Sequence, residues 1–381
     1  MYLYSFHYCE NLFFTTIKMN KIKNSKIAGS GFGLTNQIFC LITDIIKAYN
    51  EKKNILVVDK FLNDYSKNNH TCISEILDID KTNIYLKNKY NIILVDKFKF
   101  NFIINSVQYG YENNSVDLTD FITSNCFKNN CLSIKKDINL NNIKGDPFFH
   151  HFKYLYINYS INNFTFSEKL EEKFNTLEND FVIDLSLNNN NDNTNVCLSW
   201  INSINQNIFE DLLKNIHYNN YFINFTNAFI KDNINLNDKV NVLHLRLEDD
   251  AITHWSKMNN MSTIDYKNYI ENKYIEIIKK YAKIDEQNIL LTSSSSNSVI
   301  NFLKDNNYNY KLTNKFFDDR EKNAIIDLLL SQVCNNIFIG NFNLKKLNGS
   351  TFSYYISQKI NNDVKKIMID LDRITDCECE Y

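Results

Sequence analysis

Val240-Asn-Val-Leu-His-Leu-Arg-Leu247 alternates along its whole length, and its reading decides the fold. Strand side chains repeat every two residues, so Leu243, Leu245 and Leu247 share one face while His244 and Arg246 share the other. A helix is expected next, over 265–283, where Tyr266, Tyr269, Ile270, Ile277, Ile278 and Tyr281 recur at helical spacing. Strand 289–292, helix 297–304, helix 321–333, strand 337–340, helix 352–360 and strand 366–369 follow. Strands alternating with helices of this length predict a parallel, Rossmann-like sheet.

A similar series stands near the start. Lys26-Ile27-Ala28 reads as a short strand, Gly29-Ser30-Gly31-Phe32-Gly33 as a turn, and Ile38, Leu41, Ile42, Ile45, Ile46 and Tyr49 as one face of a helix. Ile55-Leu-Val-Val58 then reads as a buried strand. The expected fold is α/β, with two Rossmann-like domains facing a cleft. The expected division is a tail over 1–25, an amino-terminal α/β domain over 26–235, and a carboxy-terminal Rossmann-like domain over 236–381. Within 60–235 the pattern yields no element order. It holds the sole proline, Pro147, an aromatic stretch over 154–159, and an Asn-rich tract over 188–193 that is too polar to order itself.

Composition narrows the class. A net charge of −2 in 381 residues lacks the basic field that non-specific nucleic-acid binding requires, so no nucleic-acid partner is expected. Lysine outnumbers arginine heavily, and only Arg246, Arg320 and Arg373 are present. A guanidinium kept under such a bias suits a bidentate grip on phosphate. The nine cysteines are odd in number and scattered, which predicts reduced thiols, and Cys377 with Cys379 is too small a pair to specify a metal. No run approaches the length of a membrane span, and the first twenty residues make a poor signal peptide. A cytoplasmic protein without a transmembrane segment is therefore expected.

Four motifs could carry chemistry. In Gly29 to Gln37, glycines between strand and helix let a ligand approach the backbone at a helix N-terminus, and Asn36 adds an amide; a plain structural turn reads equally well. His244-Leu-Arg246-Leu-Glu248-Asp249-Asp250 suits nucleotide-diphosphate chemistry, with Arg246 offsetting charge on the leaving phosphate; the alternative is a salt-bridged strand end. Asp327 interrupts an apolar helical stripe and needs a partner there, which a nearby backbone N–H would also supply. Gly349-Ser350-Thr351-Phe352-Ser353 opens a helix with hydroxyls, as a phosphate seat or as an ordinary cap.

At these residues the chain resembles the fucosyltransferase superfamily that includes the α1,2- and α1,6-fucosyltransferases and the protein O-fucosyltransferases. Gly31-x-Gly33-Leu34-x-Asn36-Gln37 is similar to the family's amino-terminal Gly-Gly-Leu-x-Asn-Gln element. His244-x-Arg246-x-Glu248-Asp249 resembles its His-x-Arg-x-Gly-Asp signature, with Glu248 in place of Gly. Asp327 to Cys334, followed by Ser350 to Ser353, resembles its carboxy-terminal element, with an insert over 341–348. The likeness covers about 26–60 and 240–360.

The resemblance implies a GT-B-like fold, GDP-fucose as co-substrate, inversion at the anomeric carbon, no cofactor and no metal. The carboxy-terminal domain would bind the nucleotide sugar and the amino-terminal one the acceptor, a glycan or a protein hydroxyl. It implies that Arg246 grips the β-phosphate, helped by Ser350, Thr351 and Phe352, and that His244 and Asp327 face guanine. It also implies that Asp249 braces Arg246, while Gly31, Gly33 and Asn36 line the cleft. For the base, His254 stands where the α1,6 branch carries an acid, and Glu248 is its rival. Two other classes stay open. A metal-dependent GT-A enzyme would use Asp78-Ile-Asp80 or Asp370-Leu-Asp372, and a non-catalytic glycan- or protein-binding relative would need none of this chemistry.

Overall fold

In a computed structural model the described residues are 22–25, 33–64, 69–111, 113–173, 176–185, 205–292, 297–313, 316–343, 348–372 and 379–380. Their contacts divide the chain into two compact units, Phe100–Asn189 with Met1–Lys23, and Asn24–Lys99 with Asn190–Tyr381. The boundary expected at 235/236 is not where compactness divides the chain. The amino-terminal βαβ series joins the carboxy-terminal sheet because both contribute to one apolar core, in which Ile38, Phe39 and Leu56 pack with Val242, Phe338 and Tyr355.

The larger unit holds a six-stranded sheet. Its order is Tyr310–Leu312, Gln287–Leu291, Val240–His244, Ile337–Gly340, Lys365–Met368 and Cys379–Glu380, parallel except for the last pair. Every residue of Val240–His244, Gln287–Leu291 and Ile337–Gly340 is buried, as sheets covered on both faces require. Chain order runs outward in both directions from Val240–His244, so its junction with Ile337–Gly340 is a topological switch point. The helices Thr263–Tyr281, Ser298–Asp305, Arg320–Ser331 and Thr351–Lys359 lie within a residue or two of their expected ranges. The helix Asp249–Met258 was not expected.

The same unit carries the helix Leu34–Asn50 and, all but its first two residues, a three-stranded sheet of Ile22–Ser25, Ile55–Val58 and Ile93–Asp96. The strand expected over 26–28 lies outside the described residues. Ile22–Ser25 reaches back into what was expected to be tail, fixed by a buried Ser25 hydroxyl that donates to Asp44 Oδ2 at 2.6 Å. The apolar face of Leu34–Asn50 packs its Phe39 ring edge-on to Phe209 and Tyr354, at 5.2 and 6.2 Å between centroids.

The smaller unit is antiparallel. One sheet orders Thr176–Leu177, Phe164–Lys173, Tyr154–Ile161, Phe102–Tyr111 and Asn114–Asp117, and a second orders Phe181–Asp184, Cys131–Ile134 and Phe127–Lys128. Tyr154–Ile161 buries Leu155, Ile157, Tyr159 and Ile161 alternately, the period of a strand with one covered face. Among the described residues, no helix is long and apolar enough to cross a membrane. Cys40, Cys72, Cys126, Cys131 and Cys334 are free thiols.

Candidate functional site

Ligands of open α/β sheets bind beyond the carboxyl ends of the strands at the switch point. Here that position is occupied by His244 and, one strand over, by Gly340 and Asn341. The strand was expected to continue to Leu247 but stops at His244. The Arg246 N–H leaves the ladder and donates to the Tyr274 hydroxyl at 2.9 Å. Tyr274 donates in turn to Asn341 Oδ1 and lies 3.2 Å from the His244 carbonyl. Leu243, Leu245 and Leu247 still share one core, so the expected alternation of faces holds past the strand's end.

His244 is 4% exposed, and its Nδ1 lies 2.6 Å from Ser353 Oγ. That hydroxyl accepts the Asn341 N–H at 2.8 Å, so its own proton is free for the imidazole. Burial first, and the Arg246 charge second, push the His244 pKa down to about 3. The ring is therefore neutral, with Nδ1 as acceptor and Nε2 carrying the hydrogen. Phe352 packs edge-on against it at 5.1 Å.

The Arg246 guanidinium is about a quarter exposed and reaches Glu248 Oε2 at 2.9 Å and Asp250 Oδ2 at 3.4 Å. Asp249 does not brace it. Asp249 opens the Asp249–Met258 helix and is exposed, because the N-cap falls on Glu248 and turns the next side chain away. The bracing acids are its neighbours on either side. His254 lies farther along the same helix, exposed, with its ring 5.2 Å from Trp255.

Asp327 sits on Arg320–Ser331 and keeps partial exposure, yet burial pushes its pKa up to about 7. A hydrogen bond with the Thr313 side chain opposes that rise, and the Glu248 charge adds to it. Asp327 therefore lies within electrostatic range of Glu248, which pairs with Arg246.

Ser350 caps the Thr351–Lys359 helix, accepting the Ser353 N–H at 3.4 Å and donating its own N–H to the Asn341 carbonyl at 2.6 Å. Thr351 and Phe352 follow in the first turn, half-buried. The insert over 341–348 begins and ends as a small hairpin pairing Phe342–Asn343 with Asn348–Gly349; residues 344–347 lie outside the described ones. Gly349 holds φ +122°, and a Cβ there would stand 2.6 Å from the Asn341 carbonyl oxygen. Only glycine lets the hairpin close this tightly.

Gly31 lies outside the described residues. Gly33 is the N-cap of Leu34–Asn50, and a Cβ added to it would meet the Arg320 guanidinium at 3.2 Å. Asn36, in the first turn, is half-buried. Arg320 opens the helix that carries Asp327, so Gly33 meets the start of that helix. The structure links His244, Arg246 and Ser350 through Ser353, Tyr274 and Asn341, pairs Arg246 with Glu248, sets Gly33 beside Arg320, and leaves Asp249 and His254 exposed. Sequence reasoning missed Tyr274, Asn341, Thr313 and the pairing role of Ser353. Tyr274 falls within the helix expected over 265–283 but is not among the positions that define its face.

Among the described residues, no group of three or more His, Cys, Asp or Glu could hold a metal ion. The Asp78 carboxylate caps a helix by accepting the Lys81 N–H at 3.0 Å, and Asp370 accepts from Asn343 Nδ2 at 2.8 Å and the Asp372 N–H at 2.9 Å.

No protein-family profile and no curated protein matches the chain in sequence. Among solved structures it is similar to the NodZ α-1,6-fucosyltransferase soaked with GDP-fucose, at 13% identity over 46% of this chain and 52% of that one, with a TM-score of 0.29. The fucosyltransferase NodZ from Bradyrhizobium gives 12% identity over 44% and 50%, at 0.28. POFUT1 in complex with GDP gives 11% identity over 92% of this chain and 98% of that one, at 0.45. The chain spans about half the length of the first two.

Proposed function

We propose that the chain is a GT-B-like glycosyltransferase that moves fucose from GDP-fucose to a glycan or protein hydroxyl, with inversion and without a metal. The carrying observation is the joint at the switch point. Arg246 leaves the strand on a hydrogen bond to Tyr274, which also holds Asn341, and Asn341 holds Ser350. One guanidinium and one hydroxyl-bearing helix start are thereby fixed to the same strand end, a suitable cradle for a diphosphate. The order of the three motif elements in the sequence supports fucose and guanosine as the donor's parts.

In this reading the acceptor oxygen attacks the anomeric carbon as the bond to the β-phosphate oxygen breaks, and GDP leaves. Arg246 offsets the charge gathering on that phosphate, with the Ser350 and Thr351 groups beside it. The neutral His244 offers its Nε2–H, and Asp327 accepts the ring N–H and amino group of guanine. Glu248 takes the acceptor's proton; its place on Arg246 favours it over the exposed His254. Gly33 and Asn36 contribute the glycine-turn side of the site. The first carboxylate of each Asp-x-Asp string is committed to N–H groups of its own chain, which supports the metal-free form over a GT-A one. Five unpaired thiols support a reducing, cytoplasmic setting.

Calorimetric titration with GDP, UDP and ADP tests the donor, and turnover in EDTA tests the metal. Guanosine selectivity and unchanged turnover are expected. Tight uridine binding with none of guanosine would overturn the donor assignment, as loss of activity in chelator would overturn the mechanism.

A further inference from the structure

A second concavity, of about 440 Å³, lies in the larger unit away from the switch point. Its walls include Lys214 and His217 from the end of the Gln206–Asn215 helix and beyond, Gln332 just past Arg320–Ser331, and Lys359 at the end of Thr351–Lys359. Two of those helices begin on the other side of the unit, one at Arg320 beside Gly33 and one at its cap Ser350. The concavity is therefore a helix length away, about 13 Å for the shorter one.

Its charge is one-sided. Two lysines and a histidine line it, and no carboxylate does among the described residues. Lys359 Nζ donates to the main-chain oxygens of Lys214 at 2.9 Å and Ile216 at 3.2 Å. These carbonyls position the ammonium and offset part of its charge, as helix ends do, without neutralising it. Burial pushes Lys359 down to about 8. His217 is lowered by burial and then by Lys81 and Lys359, with Asp78 opposing. Like charges gathered around one space disfavour each other, and an anion bound there would oppose that repulsion. The volume falls in the ordinary range of ligand pockets, about 300–1,000 Å³. Ile216, Leu329 and Ile360 give it an apolar wall suited to a carbon body.

We infer that this concavity binds a small phosphorylated molecule, its phosphate held by Lys359 and Lys214 with His217 beside them. Two ammonium groups and an imidazole without a carboxylate match a dianion better than a single carboxylate. Nothing in this depends on the donor reading.

The test is calorimetry with glucose 6-phosphate on the full chain carrying Arg246→Ala, which removes the other phosphate-binding guanidinium. Saturable binding is expected, weakened about ten-fold or more by either Lys359→Gln or Lys214→Gln, with neutral glucose silent. Lys214 is exposed, so its variant reports even where Lys359→Gln folds poorly. Equal affinity with and without the lysines overturns the site. So does the absence of saturation by about 20 mM, a limit set by affinity arithmetic. Tighter binding of citrate than of glucose 6-phosphate overturns the phosphate assignment.

Discussion

His244 Nδ1 and Ser353 Oγ meet at 2.6 Å and join the end of the switch-point strand to the first turn of the Thr351–Lys359 helix. Ser353→Ala strands both the imidazole nitrogen and the Asn341 N–H in a buried setting. Urea unfolding is expected to register a loss of about 1–3 kcal/mol, with weaker GDP binding beside it. An unchanged midpoint would mean that this bond holds nothing together.

Asp327 gives stability a pH signature. Its folded pKa, about 7, lies above the ordinary 3.8, so the unfolded chain ionises first as pH rises. Its contribution is intact below about pH 4, is lost as pH climbs toward 7, and changes no further above that. Asp327→Asn should match the parent near pH 4 and exceed it at pH 7.5, with a difference growing by at most about 1.4 kcal/mol per pH unit between. Chemical denaturation at pH 4.5, 6 and 7.5 checks this; a constant offset across the series contradicts it.

Arg246→Lys keeps the charge but loses the fork. Turnover is expected to fall by about 10²–10³, while stability moves by less than about 1 kcal/mol because the pair with Glu248 and Asp250 is partly exposed. Steady-state kinetics alongside thermal unfolding separates the two. Retained turnover would point to another phosphate ligand.

The base assignment divides cleanly between two variants. Glu248→Gln should cost about 10²-fold or more in kcat, and His254→Ala no more than about two-fold. The reverse order in the same assay would move the proton to the helix histidine.

Gly349→Ala tests the hairpin that presents Ser350. At φ +122° with the Asn341 carbonyl 2.6 Å from the new methyl carbon, the turn must shift. A loss of about 1–3 kcal/mol and a raised KM for the donor are expected. Parent-like behaviour would show that the loop relaxes at no cost.

Much of this was legible in the residue order, and the reasons differ by region. Most elements after Val240 declare themselves through clean helical and strand periods, because they bury one face in the sheet's core; Asp249–Met258 and Tyr310–Leu312 do not. Arg246, Glu248 and Ser350 stand out in the sequence as polar groups at a strand end and a helix start, and Asp327 as an acid interrupting an apolar helical stripe. Tyr274 and Asn341 were not, since a tyrosine in an apolar stripe shows its hydroxyl's partner only in three dimensions. Arg246 pairs with Glu248 and Asp250 rather than Asp249, because the helix that starts after Glu248 turns Asp249 outward and brings Asp250 back to the guanidinium. Leu155, Ile157, Tyr159 and Ile161 alternate plainly in the smaller unit, but asparagines and tyrosines between them blur the contrast on which the period depends.

The packing of Phe39 on Tyr354 and Tyr355 also governs how the chain is made. During synthesis the leading helix leaves the ribosome long before its partner exists, and most of the polypeptide must be translated before that greasy stripe is covered. Such long-range closure is slow and leaves nascent chains open to aggregation. Premature termination anywhere ahead of Tyr354 would yield a fragment that chaperones hold but cannot finish.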